Sequence, residues 1–228
     1  MLQFERQSWD QLFQRVAGVD EAGRGPLAGP VVAAAVIMRR SFAEAEESRV
    51  LQGLTDSKQL TESARNTFFS ILTHCDSIAF GVGVAEVEEI ERLNILQATH
   101  RAMLRAVEGL REPPDHILVD GLPVKGFRCS STAIVRGDAL SLSIAAASVV
   151  AKVVRDRLMV VLDREYPLYG FAKHKGYGTS AHMQALLEFG PCPAHRRTFR
   201  PVRDALELHH RAQAPSQDPR FAAGESPS

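Results

Sequence analysis

The stretch 16–30 constrains the fold of this chain more than any other part of its sequence. An apolar run leads into two adjacent carboxylates, Asp20 and Glu21, after which three glycines and two prolines follow before residue 31. Apolar runs bounded by glycine and proline are typical of buried strands that end in irregular loops. An isolated Asp-Glu pair is most often a solvated turn, but this setting favours a site where cations and anionic substrates meet.

The two carboxylates do not automatically share one ligand. Successive side chains of a strand point to opposite faces of its sheet, so Asp20 and Glu21 reach a common metal ion only if the strand frays or twists there. The glycines that follow make such a departure easy for the backbone. The segment Gly23-Arg24-Gly25 adds backbone N–H groups and a guanidinium, which suit a phosphate or a sugar hydroxyl.

Composition places the chain among compact globular proteins. It has 228 residues, of which 45% are hydrophobic and 24% charged, as expected of a single α/β domain. The formal net charge of zero argues by itself against strong nucleic-acid binding, but the charges are unevenly distributed. Acidic residues prevail over 41–120 and basic residues over 150–203. The second half therefore carries a basic surface.

Cysteine usage and the N-terminus indicate the compartment. Cys75, Cys129 and Cys192 lie far apart and form no Cys-x-x-Cys pair, a usage typical of a reducing cytoplasm. No apolar run approaches the ~18 residues of a membrane span. Residues 1–6 lack the basic and apolar regions of an export signal. We expect a soluble cytoplasmic monomer that does not associate with membranes.

Hydrophobic periodicity predicts strands and helices in alternation. The 41–53 segment is expected to be a short helix or loop, and 167–178 a loop. A catalytic domain is expected over 1–211, followed by a disordered tail at 212–228 that is rich in proline, serine and glutamine. Strands are predicted at 16–20, 31–38, 77–85, 117–119 and 132–135. Helices are predicted within 1–15 and at 60–74 (N-cap Thr61), 86–91, 95–110, 145–156, 180–189 and 201–210.

Acidic residues recur at comparable positions of these elements. Asp120 and a glycine end a later strand, as Asp20 and Glu21 end the first. Asp156 lies on a helix whose alanines and serines allow close approach to the sheet, although a surface pair with Arg155 or Lys152 is the local alternative. Converging carboxylates suit Mg²⁺ or Mn²⁺, and two such ions can clamp both oxygens of a phosphodiester displacement. The sequence has neither zinc-ligand spacing nor a Walker loop.

Six sequence blocks, in order, make the chain resemble the bacterial ribonuclease HII family, the type 2 ribonucleases H, over about 16–202. They are Asp-Glu-Ala-Gly-Arg-Gly at 20–25, Asp-Ser-Lys at 56–58, Val-Asp-Gly at 119–121, the segment 143–156, His-Lys-Gly-Tyr-Gly-Thr at 174–179 and His-Arg-Arg at 195–197. The resemblance implies an RNase H-like fold, namely a five-stranded mixed sheet flanked by helices with a helical C-terminal extension.

The resemblance also implies roles for individual residues. It implies that the metal ion, Mn²⁺ or Mg²⁺, is bound by Asp20, Glu21, Asp120 and Asp156. The segment Gly23-Arg24-Gly25 is implied to read the ribose 2′-hydroxyl together with Tyr177, whose ring packs on the neighbouring deoxyribose; the 2′-hydroxyl is what distinguishes RNA from DNA. Lys58 and Lys152 are implied to hold backbone phosphates.

Two basic segments leave alternatives open. The residues themselves allow His174-Lys175 and His195-Arg196-Arg197 to be either solvated surface or phosphate contacts, and Tyr177 to be an ordinary loop aromatic. Their placement on a basic face beside carboxylates favours phosphate contact for Lys175, Arg196 and Arg197. Ser143 and Ser148 have no histidine nearby in sequence, so they are interpreted as packing or helix-surface residues rather than nucleophiles.

These expectations converge on an endoribonuclease. The implied reaction cuts the RNA strand of RNA–DNA hybrids, or cuts 5′ of a single ribonucleotide embedded in duplex DNA, and leaves 3′-hydroxyl and 5′-phosphate ends by two-metal hydrolysis. A resolvase- or exonuclease-like nuclease would use the same carboxylates without reading a 2′-hydroxyl. A non-catalytic nucleic-acid-binding module is the second rival, but its carboxylates would repel a polyanion unless cations lay between them.

Overall fold

A computed structural model describes residues 1–213, apart from the side chains of 46–48 and 212–213. The strands are β1 (Val16–Ala22), β2 (Val31–Met38), β3 (Ile78–Ala85), β4 (His116–Asp120) and β5 (Ser130–Ile134). The helices are α1 (Gln3–Asp10), α2 (Arg40–Glu44), α3 (Glu62–His74), α4 (Val87–Leu93), α5 (Ile95–Glu108), α6 (Leu142–Glu165), α7 (Phe171–His174), α8 (Ser180–Phe189) and α9 (Arg200–Gln213), with 3₁₀ turns at Glu46–Leu51 and Gly137–Ala139.

The five strands form one mixed sheet in the order β3-β2-β1-β4-β5. Strand β1 pairs antiparallel with β2 and parallel with β4, and β5 continues the parallel half. The parallel register aligns Val19 with Val119, so the next residue of each strand, Asp20 and Asp120, lies at the same edge of the sheet. The predicted five-stranded mixed sheet with flanking helices and C-terminal helices is confirmed.

Small residues allow helices to approach both faces of the sheet closely. On one face, a Cβ added to Gly18 would lie 2.1 Å from the Ser143 backbone of α6. On the other, a Cβ added to Gly83 would lie 2.0 Å from the Ala102 carbonyl oxygen of α5. Side chains alternate between these two packed layers, so the central strands are buried on both faces.

Helix α6 is longer than the sequence predicted. It begins where the Ser141 side chain accepts a hydrogen bond from the Ile144 N–H, and it runs through Arg157–Glu165, which the 145–156 prediction left out. It ends shortly before Pro167, whose ring disfavours helical backbone in the residue before it. Its N-terminus is also held by buried Glu5 of α1, whose Oε1 accepts hydrogen bonds from both Ser141 and Ser143.

The C-terminal helices pack against the second half of α6 and the loop after β1. Their shared apolar cluster joins Ala28 of that loop to Met159 of α6 and Phe171 of α7. Helix α7 is a short helix within the predicted loop 167–178. The backbone of α9 continues through Gln213, and the domain boundary expected at 211 stays a prediction; the remainder of the predicted disordered tail lies outside the described residues. Among the described helices, none combines the length and apolar character that crossing a bilayer requires.

Candidate active site

Three carboxylates meet at the edge of the sheet where β1 and β4 end. Asp20 is the last fully buried residue of β1, Asp120 ends β4, and Asp138 lies in the 3₁₀ turn after β5. Each offers an oxygen, and these oxygens all lie within 4.8 Å of one another. We call these three residues the acid cluster. A set made only of carboxylate oxygens suits a hard divalent cation such as Mg²⁺ or Mn²⁺.

Backbone hydrogen bonds hold the acid cluster in place. The Glu21 N–H donates to Asp20 Oδ1 at 2.7 Å, and the Gly137 N–H donates to Asp120 Oδ1 at 2.7 Å. The second bond ties the turn that carries Asp138 to the end of β4. Each of these carboxylates thus has one oxygen fixed by a backbone N–H, which orients the group.

The electrostatics of the cluster favour a bound cation. Burial raises the pKa of Asp20 well above its usual range, and the neighbouring carboxylates Glu21 and Asp120 raise it further. Burial also raises the pKa of Asp138, again with Asp120 adding to the rise. Crowded, partly desolvated carboxylates disfavour their own ionised form, and a divalent cation among them would remove that penalty.

Glu21 lies beside the acid cluster without joining it. Strand β1 does not fray after Asp20, since Glu21 still pairs with Ala33 and Ala22 with Val32. Glu21 Oε1 accepts a hydrogen bond from Arg24 Nη1 at 3.2 Å, while its carboxylate stays close enough to Asp20 to raise the pKa of that residue. Burial raises the pKa of Glu21; Arg24 counteracts this and Asp120 adds to it.

The structure does not bring Asp156 into the acid cluster. Its Oδ1 accepts a hydrogen bond from Lys152 Nζ at 2.7 Å, which is the local alternative noted from the sequence. The physical reason is helical geometry. Arg155 faces the loop after β1, and the next residue is rotated by about 100° around the helix axis. Asp156 consequently faces α3, where it lines a shallow cavity with Arg65.

Asp138 is the carboxylate that the sequence interpretation missed. Its signal was present, because Gly137-Asp138 closely follows the fifth strand much as Asp120-Gly121 ends the fourth. The neighbouring strands β4 and β5 are parallel, so residues after their carboxyl ends meet at one sheet edge. A search for every acid that follows a parallel strand, rather than for strand-terminal acids alone, would have found it.

A cavity of about 270 Å³ opens beside Glu21. One face of α6 forms a wall of it, through Ser148, Lys152 and Arg155 at positions i, i+4 and i+7. Ser148 is buried and lowers the pKa of Asp20 through a side-chain hydrogen bond, so its role is polar rather than only packing. The other lining residues are Ala22, Gly23, Arg24, Gly25, Ser57, Lys58 and Tyr177.

Tyr177 and the Gly23–Gly25 segment lie close to each other in the lining of this cavity. A Cβ at Gly25 would lie 3.9 Å from Tyr177 Cε1, and the tyrosine side chain remains partly exposed. Burial lowers the pKa of Lys58, but the nearby carboxylates Asp56, Asp20 and Asp138 outweigh it and leave the pKa raised. Lys58 is therefore a protonated, exposed cation next to the acid cluster.

Two basic residues predicted to contact phosphate are directed elsewhere. Arg196 is fully buried, and its guanidinium donates hydrogen bonds to the carbonyl oxygens of Gly23, Arg24, Pro26 and Gly29. Its predicted phosphate contact is wrong because no donor nitrogen faces solvent. Lys175 Nζ donates to the Ala172 carbonyl oxygen and does not line the Tyr177 cavity. Arg197 is exposed, and its phosphate contact stays a prediction.

Comparison with known proteins agrees with this fold. A model of the family described as Ribonuclease HII matches residues 17–202. A Ribonuclease HII of Chlamydia trachomatis serovar A is 51% identical over 204 residues, which cover 90% of each chain. A Ribonuclease HII of Geobacter metallireducens is 52% identical over 192 residues, covering 84% of this chain and 86% of the relative.

Solved structures of similar shape show the same architecture. The ribonuclease H2 of Pyrococcus horikoshii OT3 has a TM-score of 0.70 at 30% identity and covers 86% of this chain and 99% of its own. A Bst RNase HIII solved with Mn²⁺ has a TM-score of 0.67 at 20% identity and covers 89% of this chain and 72% of its own.

The fold and the carboxylates at its sheet edge define a nuclease of the ribonuclease H class. Within that class, the chain belongs to the ribonuclease HII family. It is a hydrolase that acts on the RNA strand of RNA–DNA hybrids and uses divalent metal ions.

Proposed function

We propose that this enzyme also cuts duplex DNA on the 5′ side of a single embedded ribonucleotide, with Mg²⁺ or Mn²⁺ held by Asp20, Asp120 and Asp138. The observation that carries the proposal is the position of Tyr177, whose ring lies opposite Gly25 across a cavity that adjoins the acid cluster. A duplex strand crossing this cavity would meet a 2′-hydroxyl reader on one side and an aromatic ring on the other.

Each side of the cavity suits a different part of the substrate. The backbone of Gly23–Gly25 has no side chain beyond Arg24, so a sugar can approach its N–H groups closely. The Tyr177 ring offers a flat surface on which a deoxyribose packs and a 2′-hydroxyl does not fit. A ribonucleotide followed by a deoxyribonucleotide satisfies both sides, and the two sides together would select that junction.

The chain's own residues would bind and orient the phosphodiester. Exposed Lys58 and half-buried Lys152 lie on the cavity wall, where they suit the flanking phosphates. Lys152 is oriented by its ion pair with Asp156, which gives Asp156 a positioning role in place of the predicted metal ligation. A divalent cation bound by the acid cluster would supply an activated water and neutralise charge on the leaving oxygen; we propose 3′-hydroxyl and 5′-phosphate products.

Three matched duplexes test the proposal. One contains a single ribonucleotide within DNA, one is a continuous RNA–DNA hybrid and one is all DNA, and each is assayed with Mg²⁺, Mn²⁺ or excess EDTA. We expect cleavage of the first two in either metal, none of the third, and none in EDTA. Cleavage of the all-DNA duplex would show that no 2′-hydroxyl is read, and an uncut single-ribonucleotide duplex would reject the junction proposal.

Tyr177 variants test the role of the ring itself. Tyr177→Ala should lose more activity on the single ribonucleotide than on the continuous hybrid, whereas Tyr177→Phe should lose less, because packing needs the ring more than the hydroxyl. An equal loss on both substrates would make Tyr177 a general support of the site. A Phe variant as damaged as the Ala variant would assign the role to the hydroxyl.

A further inference from the structure

A chain of buried histidines runs from the turn before α9 to the loop that carries Tyr177. His195 and His182 are both buried, and their Nε2 atoms lie 2.9 Å apart. His182 Nδ1 lies 3.0 Å from the Tyr177 carbonyl oxygen. Nothing in the acid cluster or the cavity requires these two imidazoles. Their hydrogen-bond chain nevertheless ends at the backbone of Tyr177, the residue proposed to select the substrate.

The direction of this hydrogen-bond chain follows from one backbone donor. The Cys192 N–H lies 3.1 Å from His195 Nδ1, so that nitrogen accepts and carries no proton. A neutral His195 must then have its proton on Nε2, which donates to His182 Nε2. His182 in turn has its proton on Nδ1 and donates it to the Tyr177 carbonyl oxygen.

Both imidazoles are neutral at physiological pH. Burial, together with the neighbouring His182, lowers the pKa of His195 to about 3, and burial lowers the pKa of His182 to about 4. A neutral imidazole has one ring proton, so the two tautomers are opposite and each is fixed by its neighbour. An added proton on either ring would place two N–H groups against each other at the 2.9 Å contact.

The Tyr177 loop needs such support because its backbone is strained. Lys175 has φ 52°, in the left-handed region that residues other than glycine rarely adopt, and it is followed by Gly176 at φ 81°, a conformation that glycine adopts without strain. His174 stacks on His182 with ring centroids 4.5 Å apart and accepts a hydrogen bond from the Gly176 N–H at Nδ1. Among the residues that the structure describes, the donors to the Tyr177 carbonyl oxygen are the Thr179 N–H and the His182 ring.

We propose that His182 and His195 are positioning residues that hold the Tyr177 ring in the position from which it selects the sugar after a ribonucleotide. The proposal rests on the proposed role of Tyr177. His182 fixes the carbonyl of the residue whose ring selects the sugar, and His195 fixes the tautomer that lets His182 donate. Loss of the relay would let the loop relax, so the ring would tolerate a ribose and the preference for the junction would fall.

Paired variants of His182 separate this role from general support. His182→Leu removes the donor, whereas His182→Asn places an amide N–H close to the former Nδ1 position. We measure kcat and KM on the single-ribonucleotide duplex and on the continuous hybrid. We expect His182→Leu to lower kcat/KM on the single ribonucleotide at least fivefold more than on the hybrid, and His182→Asn to keep most of the wild-type ratio.

His116 provides the matched control. It is also buried and its ring nitrogens lie 2.7 Å from Ser130 Oγ and 3.1 Å from Thr132 Oγ1, but it begins β4 at the end opposite Asp120. His116→Leu removes a comparable buried histidine and should leave the substrate ratio unchanged. A His182→Leu variant that lowers both activities by one factor, or a His116→Leu variant that shifts the ratio equally, would overturn the proposal.

The tautomers can be measured without any variant. Long-range ¹H–¹⁵N spectra of the intact protein should show His195 protonated at Nε2 and His182 at Nδ1. The opposite assignment for His182 would overturn the relay even if the variants failed to fold. A wild-type enzyme that left the single-ribonucleotide duplex uncut would instead reject the proposed function, while the spectra would still test the hydrogen-bond chain.

Discussion

Two regions that contain buried charged groups flank the loop after β1, and they differ in whether neighbouring groups compensate that charge. The acid cluster brings carboxylates within 4.8 Å of one another, and burial and mutual repulsion raise the pKa of Asp20 and Asp138. Arg155 and Arg196, which we call the arginine pair, are buried cations whose guanidinium nitrogens all donate to backbone carbonyls or to sulfur.

The difference separates a binding site from a structural support. Burial, together with the nearby Arg155, lowers the pKa of Arg196 to about 9, but the residue remains charged at neutral pH because carbonyl dipoles replace its water. The arginine pair therefore needs no further ligand. In the acid cluster, burial and neighbouring carboxylates raise the pKa of Asp20 and Asp138, and a divalent cation bound there would complete the site. A buried ionisable group thus indicates a binding site only when no neighbouring group compensates its charge.

The largest expected effect comes from comparing Asp138 with Asp156. Asp138→Asn removes uncompensated charge from the acid cluster, so we expect hybrid cleavage at fixed Mg²⁺ to fall by at least about 100-fold. Loss of a residue that supports a metal only from the outer shell already costs up to about 100-fold, and Asp138 is proposed to bind the metal directly. Asp156→Asn removes a carboxylate that Lys152 already compensates, and it should cost less than about tenfold. Activity as a function of Mg²⁺ concentration measures both; the reverse order would return Asp156 to the metal site.

The local part of this arrangement could be predicted from the sequence. Apolar or alternating runs predict the five strands, and carboxylates follow the first and fourth of these runs, at Asp20 and Asp120. Neighbouring residues alone determine such patterns. The resemblance implied metal ligation by Asp156, and the small residues of its helix predict a close approach to the sheet, but not which face of the helix makes that approach. The sequence therefore located the edge of the sheet and missed one of its three carboxylates.

The arginine pair could not be predicted in the same way. Arg196 follows the histidine of a basic triplet and adjoins Arg197, and nothing in the triplet distinguishes a buried guanidinium from an exposed one. Its partners lie near residues 23–29, far away in sequence, and they are carbonyl groups, which every residue has. Long-range contacts to backbone atoms leave no residue-specific pattern in a single sequence.

The second prediction breaks the arginine pair. Arg196→Met keeps the apolar stem but leaves four buried carbonyl oxygens without donors, and each unsatisfied buried acceptor costs about 1–3 kcal/mol. We expect the free energy of unfolding to fall by at least about 3 kcal/mol, measured by urea denaturation. Arg197→Met, an exposed neighbour, should stay within about 0.5 kcal/mol of wild type. Equal losses for the two variants would contradict the structural role of Arg196.

The third prediction concerns the charge left uncompensated in the acid cluster. The pKa of Asp20 is raised in the folded protein, so its favourable contribution is complete below the unfolded pKa and is lost as pH rises through the folded pKa. At pH 7 without metal the ionised group therefore destabilises the fold. Asp20→Asn should raise the metal-free Tm, by about 2–4 °C for each kcal/mol regained in a domain of this size.

Metal supplies the control for that measurement. Wild-type protein should gain Tm on addition of Mg²⁺, because a ligand that binds only the folded state stabilises it, whereas Asp20→Asn should gain little and should have lost cleavage activity. A metal-free Asp20→Asn protein that melts below wild type would mean that hydrogen bonds at Asp20 outweigh the repulsion from Glu21 and Asp120.

The smallest expected effect tests the one arginine of the His-Arg-Arg segment that remains available to the substrate. Arg197 is exposed, and within the described part of the chain its hydrogen bond is made by the backbone N–H, which donates to Glu91 Oε1 at 2.6 Å, so its guanidinium does not share the role that Arg196 fills. If its guanidinium contacts a phosphate, Arg197→Ala should reduce the slope of log affinity against log salt by roughly 0.9, the value for one phosphate contact on duplex DNA. Binding of an uncleaved duplex in Ca²⁺, measured by fluorescence anisotropy between low and moderate salt, gives that slope.

Arg111→Ala, on the loop before β4 and away from the cavity, serves as a charge-matched control and should leave the slope unchanged. Equal slopes for Arg197→Ala and wild type would place the phosphate contacts on Lys58 and Lys152 alone, and the His-Arg-Arg segment would then hold the loop after β1 without touching the substrate.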